Sequence, residues 1–156
     1  MQKACWVVIL FVVVALGSCL DNDICLRGAD NALVIDFIKF SEGEPVDDTI
    51  TLLNVQATGA DSIFYGGPDD DTDTVTTVTL AVNPYAESTF FTFNNFRGET
   101  QTLEVGYKTE VRFVSEECGS ERLQYNLKVL GTSFDSVRVV SNSLNKGRST
   151  NIEIYH

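Results

Sequence analysis

Histidine is nearly missing from this sequence; the only one is His156. Serine and cysteine nucleophiles usually rely on an imidazole to take their proton, so acyl-transfer chemistry of that kind has no internal histidine to draw on. Tryptophan and methionine occur once each, as Trp6 and Met1. Basic residues are few, 11 against 22 acids, and the net charge is −11. A domain of that sign repels phosphate backbones and anionic lipid surfaces, which argues against a nucleic-acid partner. No apolar run is long enough to span a bilayer. The longest, residues 4–15, would make about 18 Å of helix against roughly 30 Å of hydrocarbon.

What is present at the start follows the plan of a secretory signal: Lys3, the apolar run, then Leu16-Gly17-Ser18-Cys19. The last four residues look like a lipobox, in which the cysteine thiol takes diacylglycerol and its freed amine a third chain. The expected organisation is a lipoprotein signal peptide over 1–18, a lipidated tether over 19–31 and one folded domain over 32–156. Several buried acyl chains anchor stably where one does not. Of the four cysteines, Cys5 would leave with the signal and Cys19 would take lipid. Cys25 and Cys118 remain, a pair expected to form a disulfide in an oxidising compartment. Closing so long a loop would stabilise the fold by about 4–5 kcal/mol on the chain-entropy model.

The rest reads as short strands between turn signals. Strands are expected over 33–40, 50–57, 76–82 and 89–96, with Leu53, Val55 and Ala57 sharing one face of the second and Phe91 and Phe93 one face of the fourth. Leu103, Val105 and Tyr107 alternate with Glu104, Gly106 and Lys108. Leu123, Tyr125, Leu127 and Val129 alternate with Gln124, Asn126 and Lys128. A period of two means one face buried and one wet. Strands over 137–143 and 151–155 flank Asn145-Lys146-Gly147, a hairpin signal. A short helix fits the 84–88 region, and no other stretch of 19–156 shows a helical period. The class expected is all-β, a single antiparallel β-sandwich of immunoglobulin-like architecture, with a barrel as the alternative.

Candidate chemistry is thin. Asp69, Asp71 and Asp73 have the spacing that opens an EF-hand loop, but Thr74 stands where Gly is needed and Leu80 where the closing Glu belongs. A solvated loop is the plainer account. Ser115-Glu116-Glu117-Cys118-Gly119-Ser120 reads as a disulfide-bearing turn. The 22 acids offer many carboxylate pairs, none singled out by sequence. Tyr65, Tyr85 and Tyr155 are candidates for a sugar-binding platform, although most Phe and Tyr fall on the apolar phase of strands, where core packing is the default. No catalytic residue, metal or cofactor is assigned, and an enzyme is not expected.

Cys19-Leu20-Asp21-Asn22-Asp23-Ile24-Cys25, Phe90-Phe91-Thr92-Phe93, Tyr107, Phe113-Val114-Ser115-Glu116-Glu117-Cys118-Gly119, Tyr125-Asn126-Leu127 and Ile152-Glu153-Ile154 together resemble an uncharacterised lipoprotein family of Bacteroidota, domain of unknown function 6452. The resemblance carries no activity; it implies location and architecture. It implies an outer-membrane lipoprotein, with Asp21 and Asp23 as a loose match to an acidic surface-export signal and a periplasmic orientation as the other option. It also implies O-glycosylation acceptors at Thr49, Ser62, Thr74 and Ser136, each after an Asp and before an apolar residue, although Asp-Ser and Asp-Thr also favour turns entering strands. The expected role is non-catalytic binding or scaffolding, with an envelope protein as partner; the alternative is a glycan-binding accessory lipoprotein.

Overall fold

The computed structural model describes residues 32–58, 63–64, 74–116, 119–144 and 149–156. Outside them lie the expected signal, Cys19, Cys25, Cys118, Ser62, Tyr65, the Asp69–Asp73 stretch and the expected hairpin signal at 145–147. The described residues form β1 (Ala32–Ser41), β2 (Glu44–Asp47), β3 (Ile50–Thr51), β4 (Asn54–Ala57), β5 (Ile63–Phe64), β6 (Thr74–Val75) and β7 (Thr77–Ala81). After these come β8 (Ser88–Phe96), β9 (Glu99–Ser115), β10 (Gly119–Thr132), β11 (Ser136–Val139), β12 (Ser143–Leu144) and β13 (Ile152–Tyr155).

One sheet runs β11-β13-β1-β2, with β7 also paired to β1. β7 and β2 share one edge of β1, pairing Ala32–Asp36 and Ile38–Ser41 in turn. The other sheet runs β12-β10-β9-β8-β4-β5, and β3 and β6 form a separate ribbon. Neither sheet closes on itself, so the architecture is a sandwich and not the barrel alternative. One pair departs from the antiparallel expectation: β13 lies parallel to β1, with Ile35 opposite Ile152 and Phe37 opposite Ile154.

The core sits between the two sheets and follows from their alternation. Leu33, Ile35, Phe37, Val78, Leu80, Ile152 and Ile154 face inward from one sheet. Phe91, Phe93, Leu103, Val105 and Tyr107 face them from the other, and Phe134 and Phe96 meet edge to face at its margin. Two turns carry the required backbone chemistry. Glu42-Gly43 joins β1 to β2 and Arg97-Gly98 joins β8 to β9, all four residues at positive φ. That is the two-residue hairpin turn whose twist matches its strands, and glycine takes its second position at no steric cost.

Several local expectations are corrected. The 50–57 stretch is two strands in different sheets, so Leu53 is exposed and Asn54 buried. The 137–143 stretch also divides, β11 going to one sheet and β12 to the other. Where a short helix is expected, residues 84–87 make a turn in which Asn83 Oδ1 accepts the Tyr85 N–H at 2.9 Å, an Asx turn that removes the reason for a helix, and Ser88 already opens β8. In β10 the strict alternation fails. Tyr125 pairs with Lys108 but Lys128 with Gly106, so β10 holds one extra residue there. Asn126, at φ 58°, sits in that bulge. The phase inverts across it: Leu127 is buried, yet Tyr125 is exposed and Gln124 is 2% exposed.

Asn151 ties the sheets at one end. Its Oδ1 accepts the Val34 N–H at 3.0 Å, and its Nδ2 donates to the Ser143 carbonyl at 2.9 Å. At the same end the Tyr107 hydroxyl donates to the Asn83 carbonyl at 2.7 Å. Replacing Asn151→Ala leaves a buried N–H and a carbonyl without partners. A loss of about 2–3 kcal/mol is expected from urea unfolding of the variant against the native chain.

Candidate functional site

Two polar features stand out. The first is Asp48, 3% exposed, on the link between β2 and β3. Lys39 Nζ of β1 donates to Oδ1 at 2.7 Å, Arg97 Nη2 of the β8–β9 turn donates to Oδ2 at 2.6 Å, and His156 Nε2 lies 3.0 Å from Oδ2. The Thr49 backbone N–H also donates to this carboxylate. The His156 ring rests against Phe37 and Phe96, and the angle to Asp48 does not make a hydrogen bond. The cluster joins both sheets at the end opposite Asn151.

Its electrostatics are those of a clamp. Burial alone would raise the Asp48 carboxyl, but the hydrogen-bonded Lys39 ammonium and the Arg97 guanidinium outweigh it and hold the pKa below the ordinary 3.8. Burial, assisted by Arg97, holds the His156 imidazole below 6.5 in spite of Asp48. Asp48 is the one buried carboxylate among the described residues and it is ion-paired, while the His156 ring is packed against Phe37 and Phe96.

The second feature is a shallow groove of about 460 Å³ on the outer face of the six-stranded sheet. Gly106 forms its floor between Ser88 of β8 and Lys128 of β10. Lys108, Lys128, Tyr125 and Leu130 form its walls. A Cβ at position 106 would come within 3.1 Å of the Leu130 and Lys128 side chains, so the missing side chain is what leaves the floor open. The bulge at Asn126 turns Tyr125 outward, and Leu130 projects from a second irregularity between Val129 and Gly131. Phe90 extends the apolar surface along β8.

The residues singled out by sequence fall apart in space. Thr49, Thr74 and Ser136 are exposed, at the start of β3, in β6 and in β11. The Asp preceding Thr49 is the ion-paired Asp48, so that Asp-Thr is a structural turn as well as an acceptor pattern. Tyr85 is 82% exposed, with the Arg122 guanidinium 4.8 Å from its ring centre. Tyr155 stacks on Phe40 of the five-stranded sheet, at the other end of β1. They share no platform. Among the described residues no group of three or more His, Cys, Asp and Glu is placed to hold a metal. Sequence reading missed the Asp48 cluster because its members come from positions 39, 48, 97 and 156. It missed the groove because the bulge was read as plain alternation; Asn126 inside a strand pattern was the available signal.

The pH dependence of stability follows from these shifts. Folded Asp48 binds fewer protons than the unfolded chain, so its contribution is full above pH 3.8 and is lost as pH falls through the lowered folded value. His156, also held below its unfolded value, lets stability decline as pH falls below 6.5. Urea midpoints should therefore drop in two stages on acidification. His156→Phe should flatten the first stage, and Asp48→Asn should weaken the fold at neutral pH and flatten part of the second.

Neither the curated proteins nor the solved structures hold a match to this chain. A family model does match, over residues 46–156, from within β2 to His156. On that match, the chain belongs to the family of unknown function DUF6452.

Proposed function

We propose that this protein is a lipid-anchored component of the cell envelope, in the outer membrane, that binds a partner protein without catalysing a reaction. The anchoring half rests on the Lys3 start, the 4–15 apolar run and Leu16-Gly17-Ser18-Cys19. One observation carries the binding half. The outer face of the six-stranded sheet exposes Phe90 by 42%, Tyr125 by 39% and Leu130 by 48% beside the Gly106 groove. Apolar side chains gathered on a face of a sandwich that its core does not need mark an interaction surface. Lys108 and Lys128 outnumber Glu87 among the residues lining the groove on a chain of net charge −11, and so supply a modest local attraction for an acidic partner segment.

The glycan-binding alternative draws on Tyr85, but Arg122 covers one face of that ring and Tyr155 lies at the other end of the sandwich. A photo-crosslinking amino acid at position 130 in native membranes tests the surface, with position 46 on β2 as control. A discrete protein adduct from 130 and none from 46 is expected; no adduct from 130, or the same adducts from both, would overturn it. The mass of the purified amino terminus tests the anchor. An acylated Cys19 start is expected, and an unmodified start at any residue would contradict it.

A further inference from the structure

β9 runs on past the strands that flank the hairpin. β8 pairs with β9 only as far as Gly106, and β12 meets β10 only at Gln124 and Tyr125. From the polar root where Thr109 faces Gln124, β9 and β10 continue as a two-stranded ribbon, closed at its far end by the pairing of Ser115 with Gly119. β10 takes one edge of β9 there. The other edge, over residues 109–113, pairs with no strand among the described residues. The last contact on that edge is the Tyr107 N–H, which donates to the Glu87 carbonyl at 2.9 Å. Backbone groups alternate between the two edges of a strand, so Thr109, Val111 and Phe113 turn their N–H and C=O groups to the open one.

An open edge is a template for another strand, and folded proteins blunt such edges with proline, bulges or lysine. Residues 109–113 read Thr-Glu-Val-Arg-Phe, with none of these, and their register against β10 is unbroken. Val111 and Phe113 are 62% and 63% exposed on one face of the ribbon. A lone hairpin is marginal in water, and a further strand would stabilise it.

Charge names the occupant. Glu110 and Arg112 share the other face; Arg112 is bonded to Glu121 of β10, and Glu110 has no ion-pair partner among the described residues. An antiparallel copy of this strand must set odd positions opposite odd ones, because those carry the backbone groups that face the edge. A two-fold axis at Glu110 would then oppose two carboxylates, and one at Arg112 two guanidiniums. With the axis at Val111, Glu110 of each copy faces Arg112 of the other, and Thr109 faces Phe113. Only that register is self-complementary, and opposite charges directly across a strand pair are favourable where like charges are not.

We propose that the open edge of β9 is a homodimer interface, in which residues 109–113 of two copies pair antiparallel about a two-fold axis at Val111. Each of the facing odd pairs exchanges two backbone hydrogen bonds, about six in all. The two ribbons become one continuous sheet, with Val111 and Phe113 of both copies in a single apolar strip. The contact is isologous and closed, so it stops at two copies. It stands independently of the partner proposed for the Gly106 groove.

Sedimentation velocity of the full chain in detergent, over a concentration series, tests the association. The native chain should pass from one copy to two as its concentration rises. Glu110→Arg and Arg112→Glu each set like charges opposite one another, and each should raise the dissociation constant about tenfold or more. Mixing the two variants in equal amounts restores opposite charges at both facing pairs and should recover association. Val111→Cys reads the register: the axis puts its two Cα atoms about 5.5 Å apart, within disulfide reach. Phe113→Cys lies four residues along the strand from its counterpart, roughly 13 Å away. Mild oxidation should link copies through position 111 and not through 113. A native chain that stays single at every concentration would overturn the proposal, as would a mixture no tighter than either variant alone. Should Arg112→Glu disturb the ribbon through Glu121, the cysteines still decide: no link at 111, or equal linking at 111 and 113, would overturn it.

Discussion

A single extra residue in β10 decides what each side of the longest hairpin can do. Because side chains alternate, a one-residue slip exchanges the two faces of a strand. The bulge at Asn126 makes that exchange in mid-strand, so Leu127 and Val129 pack toward the core while Tyr125 turns out to the groove. Past the bulge Gln124 takes the inward place that Leu123 would hold under strict alternation. Both the open groove and the polar root of the ribbon follow from that slip.

Around this hairpin the sandwich is held by apolar packing in the middle and by one polar clamp at each end. Asn151 satisfies backbone groups of β1 and of the residue that opens β12, and so fixes where the sheets meet below the ribbon. Asp48 gathers cations from β1 and the β8–β9 turn at the opposite end. Lys39 and Arg97 are half-exposed while Asp48 is buried, so much of the attraction is screened by water at the cations and the pairing serves placement more than strength. The parallel pairing of β13 with β1 carries Asn151 to the first clamp and sets the His156 ring beside the second.

The sequence was most legible where strands are regular. Leu103-Val105-Tyr107, Val78-Leu80-Val82 and Phe91-Phe93 lie buried as their alternation implies, and the all-β sandwich follows from such segments. It was least legible where strands change sheet or phase. Nothing local in 50–57 marks the crossing between β3 and β4, since both halves are apolar and β-branched enough to continue. The Asp48 cluster could not be read because ion pairing depends on tertiary approach, and Asp48 by itself looks like a turn residue. The groove was half legible: Gly106 stood on the wet phase of β9, but the side chains around it depend on where β10 slips.

The phase inversion at Asn126 is open to direct measurement by thiol labelling of single cysteines placed at positions 124, 125, 127 and 128 of the folded chain, each against the native background. Labelling at 125 and 128 with protection at 124 and 127 is the result this account predicts. Labelling at 124 and 128 with protection at 125 and 127, the pattern of an unbroken strand, would contradict it.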